Sequence, residues 1–85
     1  MSYSVNLKPR AERDLDKLPI RVARRIWRKL LSLEIQPRPP GSVKLEGELD
    51  AYRIRIGDYR VIYLVNDQEK IVEVVRVAHR REVYR

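Results

Sequence analysis

Alternating apolar and polar residues define a β-hairpin in the middle of the chain. Residues 51–65 form two β-rich runs separated by Gly57-Asp58, and glycine at the first central position favours a type II′ turn. Side chains alternate between the two faces of a strand, so each face of the hairpin has its own composition. One face is apolar and carries Tyr52, Ile54, Ile56, Tyr59, Val61, Tyr63 and Val65. The other carries Arg53, Arg55, Arg60, Ile62 and Leu64.

Helical periodicity dominates the residues before the hairpin. A short alternating strand at 3–7 precedes Pro9, which is tolerated in the first turn of a helix. Pro19 ends this first helix or opens a second, which we predict from about 20 to 35. The predicted buried stripe of the second helix consists of Val22, Ala23, Ile26, Trp27, Leu30, Leu31 and Leu33.

The remaining segments complete a sheet. Prolines make 36–41 a connector, 42–45 is a short strand, and 70–78 is a strongly β-forming last strand. Strict alternation in that strand groups Val72, Val74, Arg76, Ala78 and Arg80 against Ile71, Glu73, Val75 and Val77. The order β-α-α-β-β-β-β predicts a single α+β domain over 1–85. Its αα-hairpin packs on one face of a mainly antiparallel sheet of four to five strands, which leaves an open face lined by arginines.

Composition narrows the possible functions. The 85 residues contain no cysteine, one histidine and a net charge of +7. We therefore predict no metal site and no cofactor. The charge favours a polyanionic partner, either nucleic acid or an acidic protein; a merely soluble basic surface is the alternative. No apolar run is long enough for a membrane helix and no signal peptide is evident, so we expect a cytoplasmic protein.

The second helix carries much of this charge. Its outward residues Arg21, Arg24, Arg25, Arg28 and Lys29 form either a surface for phosphate backbones or a solvated face.

The arginines also suggest a reaction. The chain has no glycine-rich phosphate loop and no serine in a nucleophile elbow. Without a protein nucleophile, RNA can still be cleaved by attack of its own 2′-OH on the adjacent phosphate. Arginine keeps its charge and matches phosphate geometry, so it can orient the substrate and stabilise the transition state. DNA lacks the 2′-OH and would not be cleaved.

Four segments of the sequence resemble a known family. The run from Tyr52 to Tyr63 and the ending His79-Arg80-Arg81-Glu82-Val83-Tyr84 resemble the RelE family of type II toxin–antitoxin systems, as do 15–19 and 37–47. The resemblance implies a RelE-like fold and a ribosome-dependent endoribonuclease that cuts mRNA in the A site. It also implies a cognate antitoxin that wraps the toxin.

The resemblance assigns roles to individual residues. Arg53 and Arg55 would hold the substrate phosphate, Arg60 and Arg80 would stabilise the transition state, and Tyr84 would stack on a base and accept a proton. His79 is a further substrate-binding candidate and, by its ordinary pKa, the simplest acid–base group. Each residue also has a structural alternative: Arg53 and Arg55 as solvent-facing residues, Arg80 paired with Glu82 or Glu73, and Tyr84 docked on the sheet edge.

Two other functions fit the same features. A toxin of the related ParE branch shares the fold but inhibits DNA gyrase without cutting RNA. A nucleic-acid-binding module without chemistry would show salt-dependent binding alone. The complete set of arginines and tyrosine favours the RNA-cleaving toxin.

Overall fold

The computed structural model describes residues 2–47 and 49–83. They form an α+β fold in which helices pack on one face of a five-stranded, mostly antiparallel sheet, and this confirms the predicted fold class. The elements in chain order are β1 Ser4–Leu7, α1 Pro9–Asp16, α2 Ile20–Ser32, β2 Val43–Lys44, β3 Ala51–Ile56, β4 Tyr59–Asn66, β5 Ile71–His79 and α3 Arg80–Val83. No helix within these residues is long and apolar enough to cross a membrane.

The strands run in the order β1-β5-β4-β3-β2. The first strand, β1, pairs with β5 in parallel, and the other pairs are antiparallel. The predicted hairpin is confirmed, since Ile56 pairs with Tyr59 across a two-residue turn. Gly57 has φ +61° and Asp58 does not share the positive φ, which fits a type II′ turn.

The core lies between the helices and the apolar face of the sheet. Tyr63 and Val61 are fully buried there, against Ile26 and Leu30 of α2. The wide stripe predicted for α2 is wrong at two positions: Trp27 is 38% exposed and Leu31 is 50% exposed. The buried sector of the helix is narrower than the hydrophobic pattern, and it leaves these two side chains at the surface.

A β-bulge changes the faces of the last strand. Ile62 pairs with Arg76 but Tyr63 pairs with Val74, so Val75 is an extra residue in β5. An extra residue reverses the alternation, and Val77 therefore points to the core while Arg76 and Ala78 lie on the open face. The strict alternation predicted for this strand is wrong beyond Val75.

The proline-rich connector is held to the sheet by one arginine. Arg38 forms a bidentate ion pair with Asp67 of the β4–β5 turn, with N–O distances of 2.9 and 3.1 Å, and it donates a hydrogen bond to the Tyr52 hydroxyl at 2.6 Å. It also pairs with Asp50, just before β3. The hydrogen bonds from Arg38 and Tyr3 lower the pKa of Asp67 to about 2. These contacts fix the end of the sheet opposite to the Gly57 turn.

Candidate functional site

Arginines occupy the end of the open face that lies next to the Gly57 turn. Arg55 of β3 pairs directly with Arg60 of β4, whose other cross-strand partner is Ala78 of β5. Arg53 lies two residues before Arg55 on the same face, beside Ile62. Like charges directly opposite each other in a sheet are destabilising. Their placement here concentrates positive charge on a rigid support, which suits an anionic ligand.

Arg60 is the most enclosed of these arginines. It is only 9% exposed, and it is the one charged residue among the buried positions of the described chain. Burial removes the Arg60 guanidinium from water, which costs free energy. The surrounding strands hold this side chain in place. A phosphate that reaches Arg60 would meet a fixed charge in a site of low polarity, where electrostatic interactions are strongest.

Arg55 connects the open face with the helical side of the molecule. Strand β2 covers β3 only at Tyr52 and Arg53, so the edge of β3 is open near Arg55. The Nε of Arg55 donates a hydrogen bond to the carbonyl of Gly57 at 3.0 Å. The same residues line a surface groove together with Arg25 and Arg28 of α2.

Gly57 lets α2 approach this turn closely. A Cβ at Gly57 would lie 3.0 Å from a guanidinium nitrogen of Arg25. The lack of a side chain therefore permits both the positive φ and the contact with Arg25. A continuous basic surface results, from Arg25 and Arg28 across the turn to Arg55 and Arg60.

Arg80 is brought to the same end of the sheet. It is the first residue of α3, and its backbone N–H donates to the carbonyl of Asp58 at 2.8 Å. Its side chain is exposed, and neither predicted carboxylate partner is engaged with it: Glu73 pairs with Lys8 and Glu82 pairs with Arg76. The structural alternative for Arg80 is thus not supported. Tyr84 lies outside the described residues.

His79 lies apart from the arginines. It pairs with Tyr59, whose face of the sheet is the one that packs against the helices. The two rings meet edge to face, with centroids 5.4 Å apart. The Nδ1 of His79 accepts a hydrogen bond from the Arg81 N–H at 3.3 Å. These contacts order the start of α3, and they point His79 away from the open face.

Sequence reasoning missed Arg76, which the bulge places beside Ile62 on the open face. The signal was present as two consecutive valines, Val74 and Val75, which break the alternation of the strand. Two adjacent apolar residues followed by a charged one are the pattern expected where an extra residue exchanges the two faces of a strand.

The end of the open face opposite to the Gly57 turn differs in composition from the end that carries the arginines. A groove there is lined by apolar residues with amide and carboxylate groups, among them Asn6, Leu64, Ile71, Glu69 and Glu73. The arginines predicted for the open face are present on it, and Arg53, Arg55 and Arg60 lie toward the Gly57 end. Within residues 2–47 and 49–83, no cluster of histidine and carboxylate groups is suited to hold a metal ion.

Comparisons with known proteins agree with this architecture. Residues 5–84 match the family model described as the ParE toxin of the type II toxin–antitoxin system parDE. The chain is 31% identical over 86 residues to Toxin RelG of Mycobacterium tuberculosis, covering 100% of this chain and 99% of that one. It is 33% identical over 88 residues to the mRNA interferase toxin RelE of Escherichia coli K12, covering 99% and 92%.

A crystal structure shows the same fold. The toxin–antitoxin complex RelBE2 from Mycobacterium tuberculosis contains a chain that superposes with a TM-score of 0.82 and 31% identity, covering 93% of this chain and 99% of that one. The chain therefore belongs to the RelE/ParE superfamily and is a toxin of a type II toxin–antitoxin system.

Proposed function

We propose that this toxin is a ribosome-dependent endoribonuclease that cleaves mRNA in the A site, by attack of the ribose 2′-OH on the adjacent phosphate. The attack forms a 2′,3′-cyclic phosphate and breaks the bond from phosphorus to the 5′-oxygen, which leaves as a hydroxyl after taking a proton from solvent. The observation that carries the proposal is the direct pairing of Arg55 with Arg60 on the open face, with Arg53 on the same strand and Arg80 at the same end. The RelE relative named as an mRNA interferase supports this activity at the level of the family.

The arginines divide the work according to their surroundings. Arg53 and Arg55 are accessible and hold the phosphate, whereas the buried Arg60 stabilises the charge that develops in the transition state. Arg80 adds a second positive group from α3. Guanidinium groups thus do the electrostatic work that metal ions do in other nucleases.

Proton transfer needs a separate group. We assign the acceptance of the 2′-OH proton to Tyr84, the role that the resemblance to RelE implies for this position. His79 faces Tyr59, so in this proposal its contribution is to support the start of α3 near the substrate.

The ribosome supplies the second polyanion. The basic surface on α2 continues from Arg25 and Arg28 to the Gly57 turn without an intervening carboxylate in the groove that they share. Phosphates of ribosomal RNA would bind there through charge, and this binding would weaken steeply with salt. The mRNA would then lie across the open face, where Arg53, Arg55 and Arg60 point.

The antitoxin has a surface of its own. Ile20, Trp27 and Leu31 are exposed on α2, and two shallow grooves beside Trp27 are lined by residues of α1, including Leu15 and Asp16. A helix with apolar residues at i, i+3 and i+4 fits such a surface. Trp27→Ser should therefore reduce neutralisation by the co-expressed antitoxin while toxicity persists; full neutralisation of the variant would exclude this surface.

Transcript mapping tests the enzymatic function. The toxin is induced in cells, and new 5′ ends on mRNA are mapped together with the supercoiling activity of gyrase. We expect cleavage at positions occupied by the ribosomal A site and unaffected gyrase. Intact transcripts with stalled gyrase would instead assign the ParE-type activity, and salt-dependent RNA binding without either effect would indicate a binding module.

A further inference from the structure

Arg76, on the open face, lies between two carboxylates of the described residues. Its Nε lies 3.8 Å from Oδ2 of Asp14 in α1, and its Nη2 lies 3.3 Å from Oε2 of Glu82 in α3. Arg76 therefore links the first helix of the chain to the last through the central part of the sheet. The bulge at Val75 makes this link possible, because it turns Arg76 out of the core face.

The Asp14 end of the link is fixed. The Asp14 side chain is only 9% exposed, and its Oδ2 accepts the backbone N–H of Val77 at 2.9 Å. Its Oδ1 accepts a hydrogen bond from Arg10 at 3.1 Å. A buried carboxylate with several donors has little freedom to move. It places a fixed negative charge 3.8 Å from the Arg76 Nε, which makes no hydrogen bond of its own among the described residues.

The Glu82 end of the link depends on that anchor. Helix α3 has four residues, too few for a helix to be stable without tertiary contacts. Besides the ion pair of Glu82, two hydrogen bonds hold α3. The Arg80 N–H donates to the carbonyl of Asp58, and the Arg81 N–H donates to Nδ1 of His79. Arg76 supplies a side-chain contact to the exposed surface of α3 at Glu82, two residues after Arg80.

We propose that Arg76 is a positioning residue for RNA cleavage, which holds α3 through Glu82 so that Arg80 faces the phosphate beside Arg60. This inference rests on the proposed function. Arg76 acts through Glu82, with which its Nη2 pairs, and is assigned no contact with the reacting atoms. Loss of the link leaves substrate binding by Arg53 and Arg55 intact and lowers the rate of the chemical step.

Variants on the two sides of the link test the proposal. Single-turnover cleavage of ribosome-bound mRNA is measured for Arg76→Ala, Glu82→Gln, the double variant and Arg76→Lys, together with hydrogen exchange of the Arg80 amide. Partly exposed ion pairs are weak, so we expect each single variant to lower the saturating rate by about three- to fivefold. The half-saturating ribosome concentration should stay the same, and the Arg80 amide should exchange faster by a similar factor.

The pattern across the variants separates positioning from a general structural effect. The double variant should be no slower than either single variant, and Arg76→Lys should recover most of the rate. Lys8→Ala is the matched control, because it removes a comparably exposed ion pair of the same strand, with Glu73, that does not touch α3. It should behave like the wild type in both measurements.

Three results would overturn the proposal: an unchanged rate or amide exchange, additive losses in the double variant, or faster cleavage by Glu82→Gln. The last result would mean that Glu82 competes with the substrate for Arg76. A wild-type protein that cuts no mRNA would contradict the proposed function itself. In that case, the wild-type reaction identifies this failure, and the exchange measurement still reports whether Arg76 holds α3.

Discussion

The two ends of the sheet use arginine in opposite ways. At the far end, Arg38 contacts two carboxylates and a tyrosine hydroxyl, and nearly all of its donors have partners within the protein. At the Gly57 end, Arg55 donates to a backbone carbonyl and faces Arg60 across the strand pair. In residues 2–47 and 49–83, neither Arg53 nor Arg55 forms an ion pair with a carboxylate.

This difference separates a structural arginine from a functional one. A guanidinium surrounded by carboxylates stabilises the fold and has no capacity left for a ligand. Guanidinium groups without a carboxylate partner among the described residues, such as those of Arg53 and Arg55, keep their capacity to bind a ligand. The comparison predicts that substitutions at one end affect activity, whereas substitutions at the other affect the free energy of unfolding.

The largest effect is expected at Arg60. Arg60→Ala should lower the single-turnover cleavage rate by about 10²- to 10³-fold, because it removes an electrostatic contact to the transition state. The melting temperature of the variant shows whether the loss of rate is accompanied by a loss of stability. Rates on ribosome-bound mRNA and thermal melting measure both quantities.

Exposed Arg13 on α1 provides a control of equal charge. Arg13→Ala should keep the wild-type rate. Equal losses in the two variants would show that only net charge matters and would remove Arg60 from the catalytic step.

Arg38→Ala should give the reverse result. It removes charged hydrogen bonds to Asp67 and Asp50, and we expect a loss of about 1–2 kcal/mol in the free energy of unfolding, since the cluster is partly exposed to solvent. The cleavage rate of the folded variant should remain near that of the wild type. Chemical denaturation measures the first effect, and a large loss of activity without destabilisation would contradict the distinction between the two ends.

Tyr63→Phe tests a second contact that stabilises the end of the sheet opposite to the Gly57 turn. The buried Tyr63 hydroxyl donates to the carbonyl of Pro37 at 2.8 Å, and burial raises the pKa of this phenol. Removing the hydroxyl leaves that carbonyl without this donor and should cost about 0.5–1.5 kcal/mol of stability. Tyr59→Phe is the matched control on the same strand, and equal melting of the two variants would argue against the Pro37 bond.

The smallest effect is on acid stability. The pKa of Asp67 falls from an ordinary 3.8 to about 2 in the folded protein, chiefly through Arg38. A lowered carboxyl pKa stabilises the fold above pH 3.8, and this contribution is lost as the pH falls toward 2. Asp67→Asn should therefore flatten the melting profile between pH 4 and pH 2, and an unchanged profile would assign acid sensitivity to other groups.

Local patterns predicted much of this fold. Glycine at position 57 and strict alternation in β3 determine the hairpin, its turn and the outward direction of Arg53 and Arg55, and all of these are confirmed. The order of elements predicted the layers of the α+β fold as well. These features depend on residues close together in sequence, where turn chemistry and side-chain alternation decide the outcome.

Features that depend on distant partners were not predicted. The exposure of Trp27 and Leu31 depends on how much of α2 the sheet can cover, and the hydrophobic pattern of the helix alone cannot show it. The placement of His79 against Tyr59 and of Arg76 beside Ile62 depends on one extra residue in β5. The roles of Arg53, Arg55, Arg60, Arg80, His79 and Tyr84 stay predictions.

The parallel pairing of β1 with β5 has a consequence for biosynthesis. The first strand pairs with a strand that is translated more than sixty residues later, since Ser4 lies opposite Ile71. Such long-range closure is slow compared with local hairpin formation. The nascent polypeptide consequently cannot assemble the finished sheet until β5 has left the ribosome, and the open face, to which β5 contributes Arg76 and Ala78, is complete only then.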